Sequence, residues 1–232
     1  MTEADSKSTR ARDALLLALS FAAGYVDALS YLGLNRVFTA NMTGNTVLLA
    51  IGVAQLDANA AGRSSVALAG FLLGAAVGAF IVERDRTEGI WPRVVTLALT
   101  VESVILCVFA AGWQLVGERP AAFPLSILIG LSALAMGVQS AAVRRLEVSG
   151  IATTYITGTL TQLVALFMRP KPHNSKSRSR YGMLPGAVWV VYFGGAATAA
   201  IDLRLSSLVA QLLPVAVIVC VVVTATRAFR PR

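Results

Sequence analysis

Charge and histidine are scarce in this sequence. Only 14% of the 232 residues are charged, and His173 is the single histidine. A soluble domain carries about 25% charged and about 45–50% apolar residues. Here the apolar set reaches 56% and the mean hydropathy is +0.70. A chain this short has too little interior to hide so much apolar surface from water, which excludes an ordinary soluble enzyme. The same apolar excess excludes intrinsic disorder. One histidine excludes a His-based metal site. There is no H-E-x-x-H and no serine with a plausible histidine partner, so the familiar hydrolase chemistries go too. Both cysteines, Cys107 and Cys220, lie inside apolar stretches and give no disulfide framework. The expectation is a membrane protein without metal or cofactor, and not an enzyme.

Long apolar runs are what the sequence has instead. A bilayer span needs about 20 residues at 1.5 Å each. Residues 14–31, 66–82, 94–116, 121–143, 183–201 and 205–225 meet or approach that length. Two further stretches, 41–54 and 155–168, are shorter and rich in Thr, Asn and Gly. Apolar segments of about 10–14 residues more often re-enter or stay buried than cross.

The basic residues choose between topologies. If all eight segments cross from a cytoplasmic N-terminus, Lys and Arg divide 13 inside and 7 outside. If the two short segments dip and return, 16 lie inside and only Arg36, Arg63, Arg119 and Arg204 lie outside. The second division obeys the positive-inside rule better. It makes the net charge of +8 an orientation signal, with the lipid bilayer rather than nucleic acid as partner. Both termini are expected in the cytoplasm of a bacterial cell, and the basic loop 169–181 beside them. A cleavable signal peptide ending near Gly24 is the rival reading of the N-terminus. It conflicts with a match that runs straight through that point.

That match is an internal repeat. Gly24-Tyr25-Val26-Asp27-Ala28 aligns with Gly137-Val138-Gln139-Ser140-Ala141. About fifteen residues later, Thr39-Ala40-Asn41-Met42-Thr43-Gly44-Asn45 aligns with Thr153-Thr154-Tyr155-Ile156-Thr157-Gly158-Thr159. Gly70 and Gly78 pair with Gly186 and Gly194 as a third match. The chain thus divides into a tail at 1–13, a first membrane repeat at 14–116 and a second at 121–228. Three spans and one re-entrant segment per half put the second half upside down. The expected fold is an all-α membrane protein of about six transmembrane helices plus two short interrupted segments, built as an inverted repeat. Secondary transporters use that design, with a midplane site on interrupted helices from both halves.

Candidate site residues cluster at the interruptions. Asn41, Thr43 or Thr46 would cap the short helix that follows. Gly44 permits close backbone approach, and Asn45 adds an amide. The exposed helix N-terminus would suit an anion or carboxylate. Thr154, Thr157 and Gly158 repeat the device in the second half. The alternative is that these hydroxyls bond back to their own helices and glue the packing. Asp27 lies well inside the first span, where an ionisable group costs about 2.5–3.5 kcal/mol or more. It would serve as a proton carrier, a cation ligand, or a structural partner of Arg36 or a threonine. Its counterpart Ser140 is neutral, with Gln139 beside it. Glu102 is the other membrane-embedded carboxylate. Gly70, Gly74 and Gly78 form a small-residue face for helix packing, or alternatively for a homo-oligomer. Pro214 is expected to kink the last span.

These motifs resemble the YoaK-type family of bacterial multi-pass membrane proteins, a domain of unknown function. The likeness rests on the two aligned pairs above, extended through Ala142-Val143-Arg144-Arg145 and Leu160-Thr161. It covers most of the chain. The family pattern often has Asn where this sequence has Ser140, so an amide is not required at that position. The resemblance implies a multi-pass bacterial membrane protein and supplies no substrate.

Three functions remain: a small-solute or ion transporter or channel, a membrane component that binds partners, and a membrane-embedded enzyme. The last has only Asp27 and Glu102 to work with. The topology is testable in a background lacking Cys107 and Cys220. Arg63→Cys and Lys171→Cys should react with an impermeant thiol reagent from opposite sides of the membrane. Labelling from one side is the result that eight crossings require.

Overall fold

The computed structural model describes residues 3–85, 89–117, 121–146, 164 and 178–229. Among these are seven helices: α1 (Glu3–Gly33), α2 (Met42–Ala54), α3 (Ala58–Val82), α4 (Arg93–Val116), α5 (Ala122–Arg144), α6 (Arg178–Leu205) and α7 (Ser207–Ala228). Six are long and apolar enough to cross a membrane, and α2 is the short one. They match the six expected spans in order. Three begin earlier than the apolar runs do. Helix α1 takes in most of the polar tail, α3 starts at Ala58, and α6 starts at Arg178. Ala, Lys, Arg and Glu are good helix formers, so the helices continue past the apolar zone. Large apolar side chains such as Leu72, Leu73, Phe80 and Phe193 project outward, as lipid-facing positions do. Cys107 and Cys220 are exposed and unpaired.

Contacts between helices give the direction of each. Against α5, successive α3 glycines meet successive α5 residues: Gly70 meets Gly130, Gly74 meets Leu134, and Gly78 meets Val138 and Ala141. The two helices are therefore parallel. Helix α1 runs against α5, because Gln139 bonds to the Leu19 carbonyl while Ser132 bonds to Thr39, just beyond the other end of α1. Helix α6 is parallel to α1, with Tyr192 beside Gly24 and Asp202 bonded to Tyr25. Helices α4 and α7 are antiparallel. Gln114 bonds to Gln211 at one end, and the Trp91 and Phe229 rings stack at the other.

It follows that α1 ends on the face where α3 begins. The segment between them, including α2, goes in and comes back. Two left-handed residues, Asn35 (φ 60°) and Arg36 (φ 63°), reverse the chain after α1. Asn tolerates that region better than most residues do. At 13 residues, α2 is about 20 Å long and too short to span. At its far end, Leu56 (φ 56°) turns the chain. Asp57 then caps α3 by accepting from the Asn59 and Ala60 N–H groups. The chain likewise leaves α5 and begins α6 on one face. Arg84, Arg93, Arg144 and Arg227 lie at helix ends on that face and Arg12 in the third turn of α1, whereas Arg36, Arg63 and Arg204 lie towards the other.

The two most extensive helix pairings are α3 with α5 and α1 with α6, and they share a design. A side chain at Gly24 would strike the Tyr192 carbonyl, and one at Gly137 the Phe71 carbonyl. One at Gly195 would strike the Phe21 carbonyl, and one at Gly74 the Leu134 carbonyl. Residues 21 and 24 thus correspond to 134 and 137, both offset by 113. Residues 71 and 74 correspond to 192 and 195, both offset by 121. This corrects the third sequence match, since Gly74 pairs with Gly195 rather than Gly70 and Gly78 with Gly186 and Gly194. Glycines one helical turn apart can be slid past one another in a linear alignment, but backbone contact fixes which are equivalent. The corresponding helices run in opposite directions, which makes the repeat inverted. Pro214 and Pro185 both lie inside unbroken helices.

The glycine face of α3 is spent on α5 within the chain. A Cβ at Gly74 would sit 2.0 Å from the Leu134 carbonyl oxygen, whereas one at Gly62 meets nothing within 4 Å. Gly74→Ala should force the helices apart and lower stability by about 1–3 kcal/mol or more. Gly62→Ala should leave stability unchanged or raise it by up to about 1 kcal/mol. Thermal unfolding of the two variants in detergent checks the contrast.

Candidate functional site

Asp27 is 2% exposed, six residues before the end of α1. The chain folds back over it after the reversal at Asn35 and Arg36. Three successive N–H groups then converge on one carboxylate oxygen. Thr39, Ala40 and Asn41 donate to Oδ1 at 3.0, 2.7 and 3.1 Å. The Tyr192 hydroxyl of α6 donates to Oδ2 at 2.5 Å. These are the N–H groups that open the interrupted segment. Unwound backbone inside a bilayer must be paired within the protein, and Asp27 does the pairing. Arg36, one of the expected partners, is exposed and bonds elsewhere through its backbone, to Tyr31.

The start of α2 is built from side chains that fold back on it. Asn41 accepts from the Gly44 N–H at 3.1 Å, as an N-cap should. Gly44 lies against the Phe38 ring, with no room for a side chain. Asn45 is fully buried; its amide donates to the Phe38 carbonyl and accepts from the Phe38 N–H. Thr46 bonds back to the Met42 carbonyl, and Thr43 is exposed. The expectation of an open anion site at this N-terminus is therefore corrected. The chain's own Asp27 accepts from the Thr39, Ala40 and Asn41 N–H groups, and Asn41 from Gly44.

Thr39 carries the break across the interface between halves. Its hydroxyl lies 2.9 Å from Ser30 of α1 and accepts from Ser132 of α5 at 2.9 Å. All three are completely buried. The sequence reading missed Tyr192, Ser30 and Ser132, and quoted Thr39 only as part of a motif. A tyrosine or serine in an apolar run gives little signal by itself. Only the repeat offset of 121 places Tyr192 opposite Asp27, by analogy with Phe71 opposite Ser140.

The other candidates fall into three groups. Ser140 is partly buried on α5. It and Phe71 stand where Asp27 and Tyr192 stand in the other half, so the carboxylate–phenol pair has no equivalent among the described residues. Gln139 and Glu102 are fully buried on α5 and α4, away from the break. Thr154, Thr157 and Gly158 lie outside the described residues. Among the described residues no group of three or more His, Cys, Asp or Glu is placed to hold a metal ion.

Comparison with known proteins agrees with this architecture. The family described as "Protein of unknown function (DUF1275)" matches residues 15–226, nearly the whole helical bundle. The chain belongs to the DUF1275 family. It is also similar to the "UPF0700 transmembrane protein YoaK" of Bacillus subtilis (strain 168), 40% identical over 153 residues. That match covers 66% of this chain and 66% of the relative, so the aligned part spans about two thirds of each. No solved structure matches. This DUF1275 member is a multi-pass membrane protein, as its six candidate spans require.

Asp27→Ala would leave three buried N–H groups without an acceptor, at about 1–3 kcal/mol each. It should unfold the break or the protein. Asp27→Asn keeps an oxygen for the three donors and should cost far less. Tyr192→Phe removes one donor to a charged group and should cost about 1.5–3 kcal/mol. Thermal unfolding in detergent should therefore rank Ala well below Asn and Phe; equal losses for Ala and Asn would contradict this role.

Proposed function

We propose that this DUF1275 protein is a transporter or channel for a small solute or ion. In this reading the pathway runs near the membrane midplane, between the two polar helix breaks. The observation that carries it is the inverted repeat. Helices α1 and α5 cross in opposite directions with equivalent glycine contacts, and a re-entrant segment meets them at buried Asp27. Inverted repeats supply the two equivalent arrangements that alternating access needs. Hydroxyl-rich interruptions from each half would then face a shared route. The arginine-rich helix ends support a cytoplasmic location for both termini in a bacterial cell under the positive-inside rule. The protein performs no bond chemistry of its own.

One observation favours a second reading, a membrane component that binds partners without transport. All the bonds described for Asp27 are structural, which suits a fixed scaffold. The two readings part on Asp27→Asn, which keeps an oxygen for the three backbone donors while removing the ionisable group. A ligand-stabilisation screen on the purified protein should find solutes that raise its melting temperature, because binding to the native state stabilises by mass action. The solutes found should enter proteoliposomes, and Asp27→Asn should slow that flux at least tenfold while keeping the fold. No uptake of any solute that binds would remove the transport reading.

A further inference from the structure

Away from the break, three buried oxygen acceptors have no hydrogen-bond partner among the described residues. Glu102 is completely buried, and neither of its carboxylate oxygens has a hydrogen-bond partner. Gln139 is also completely buried. Its amide nitrogen donates to the Leu19 carbonyl of α1 at 3.2 Å, and its Oε1 has no partner. The antiparallel register of α4 and α5 sets Gly112 against Leu128 and groups Phe109 and Trp113 with Leu125, Leu128 and Ile129. On that register Glu102 falls level with Val138 and Gln139. Val138 and Ala135 pack in one apolar cluster with Leu99 and Leu106, one turn to either side of Glu102.

Among the described residues no basic side chain bonds to Glu102, and Lys7, Arg10 and Arg12 of α1 lie in the first three turns of that helix. Helix α3 carries only Arg63, α5 only Arg144 and α7 only Arg227, each in an end turn or the turn next to it; on α4 itself, Arg93 is the first residue. Asp27 on α1 is engaged elsewhere. A bare carboxylate in such a place would be very costly. Acceptors at one level of the helix register gain nothing from one another, but one added hydrogen turns an acceptor into a donor.

We propose that Glu102 and Gln139 form a proton-binding site. Glu102 holds a proton on its carboxyl group and donates it to Gln139 Oε1, and the Gln139 amide passes the link to the Leu19 carbonyl of α1. Losing the proton leaves three acceptors together. Helix α4 must then part from α5 or admit water, so proton release is tied to a change in helix packing. The site lies about 12 Å along α1 from Asp27, eight residues at 1.5 Å each, towards the arginine-rich face. If the transport reading holds, this site supplies the coupling ion, but proton binding stands without it.

Infrared spectroscopy of the full chain in lipid nanodiscs tests this without any flux. Incorporating glutamate labelled with carbon-13 at the side-chain carboxyl leaves the protein unaltered. At neutral pH it should show one carboxylic-acid C=O band that shifts with the label and with deuterium. Glu102→Gln should abolish the band, Asp27→Asn should keep it, and Gln139→Leu should raise its frequency by removing the hydrogen bond. A labelled protein with only ionised glutamate bands at neutral pH overturns the proposal. So does a Glu102 signal in the carboxylate region that moves on adding sodium or potassium, which would make the site a cation site. If Glu102→Gln does not fold, the label on the unaltered protein and on Glu102→Asp decides, since the aspartate variant should lose the labelled band.

Discussion

A polypeptide that unwinds inside a bilayer leaves N–H groups with no water to receive them. In this protein the three N–H groups ahead of α2 all point at one carboxylate oxygen of Asp27. That convergence holds the chain deep in the membrane after α1 has crossed. Because the segment is held there, it returns to the face it came from. Because it returns, the first half crosses an odd number of times and the second half starts inverted. The direction of every later helix depends on that turn.

The second constraint is how closely helices can approach where apolar burial against lipid drives nothing. Glycine at four positions lets backbone meet backbone, and van der Waals contact replaces the missing hydrophobic term. The same two contacts occur at each of two interfaces, between α1 and α6 and between α3 and α5. The halves differ in what surrounds them. One interface holds Asp27 with Tyr192, while the other has Ser140 and Phe71 at the equivalent places. Among the described residues the backbone contacts repeat while the carboxylate–phenol pair belongs to one interface, and the unpartnered Glu102 lies on α4.

The site was only partly legible in the sequence. Asp27 stood out because a charge in an apolar run is costly, and Asn41 and Gly44 because caps and close approaches favour those residue types. Their jobs were not legible. The helix N-terminus that suggested an open anion site is filled by the chain's own carboxylate, since contact between residues 27 and 40 needs the reversal at Asn35 and Arg36. Tyr192 is 165 residues from Asp27, and no local pattern connects them. The glycine pairing failed for a related reason. Periodic small residues match at several registers, and only a carbonyl 2.0 Å from where a Cβ would be picks one.

What the sequence determined by itself is everything that depends on transfer between water and lipid. That covers the membrane class, the six spans, the shortness of the seventh helix, the gathering of arginines on one face and the presence of a repeat. Such properties add up along the chain, residue by residue. What only the tertiary structure decided is everything that depends on a partner distant in sequence. The four hydrogen bonds that saturate Asp27, the true equivalence of the glycines and the unpartnered oxygens of Glu102 and Gln139 are all of this kind. A hydrogen bond or a backbone contact is a relation between two positions, and composition and periodicity describe only one position at a time.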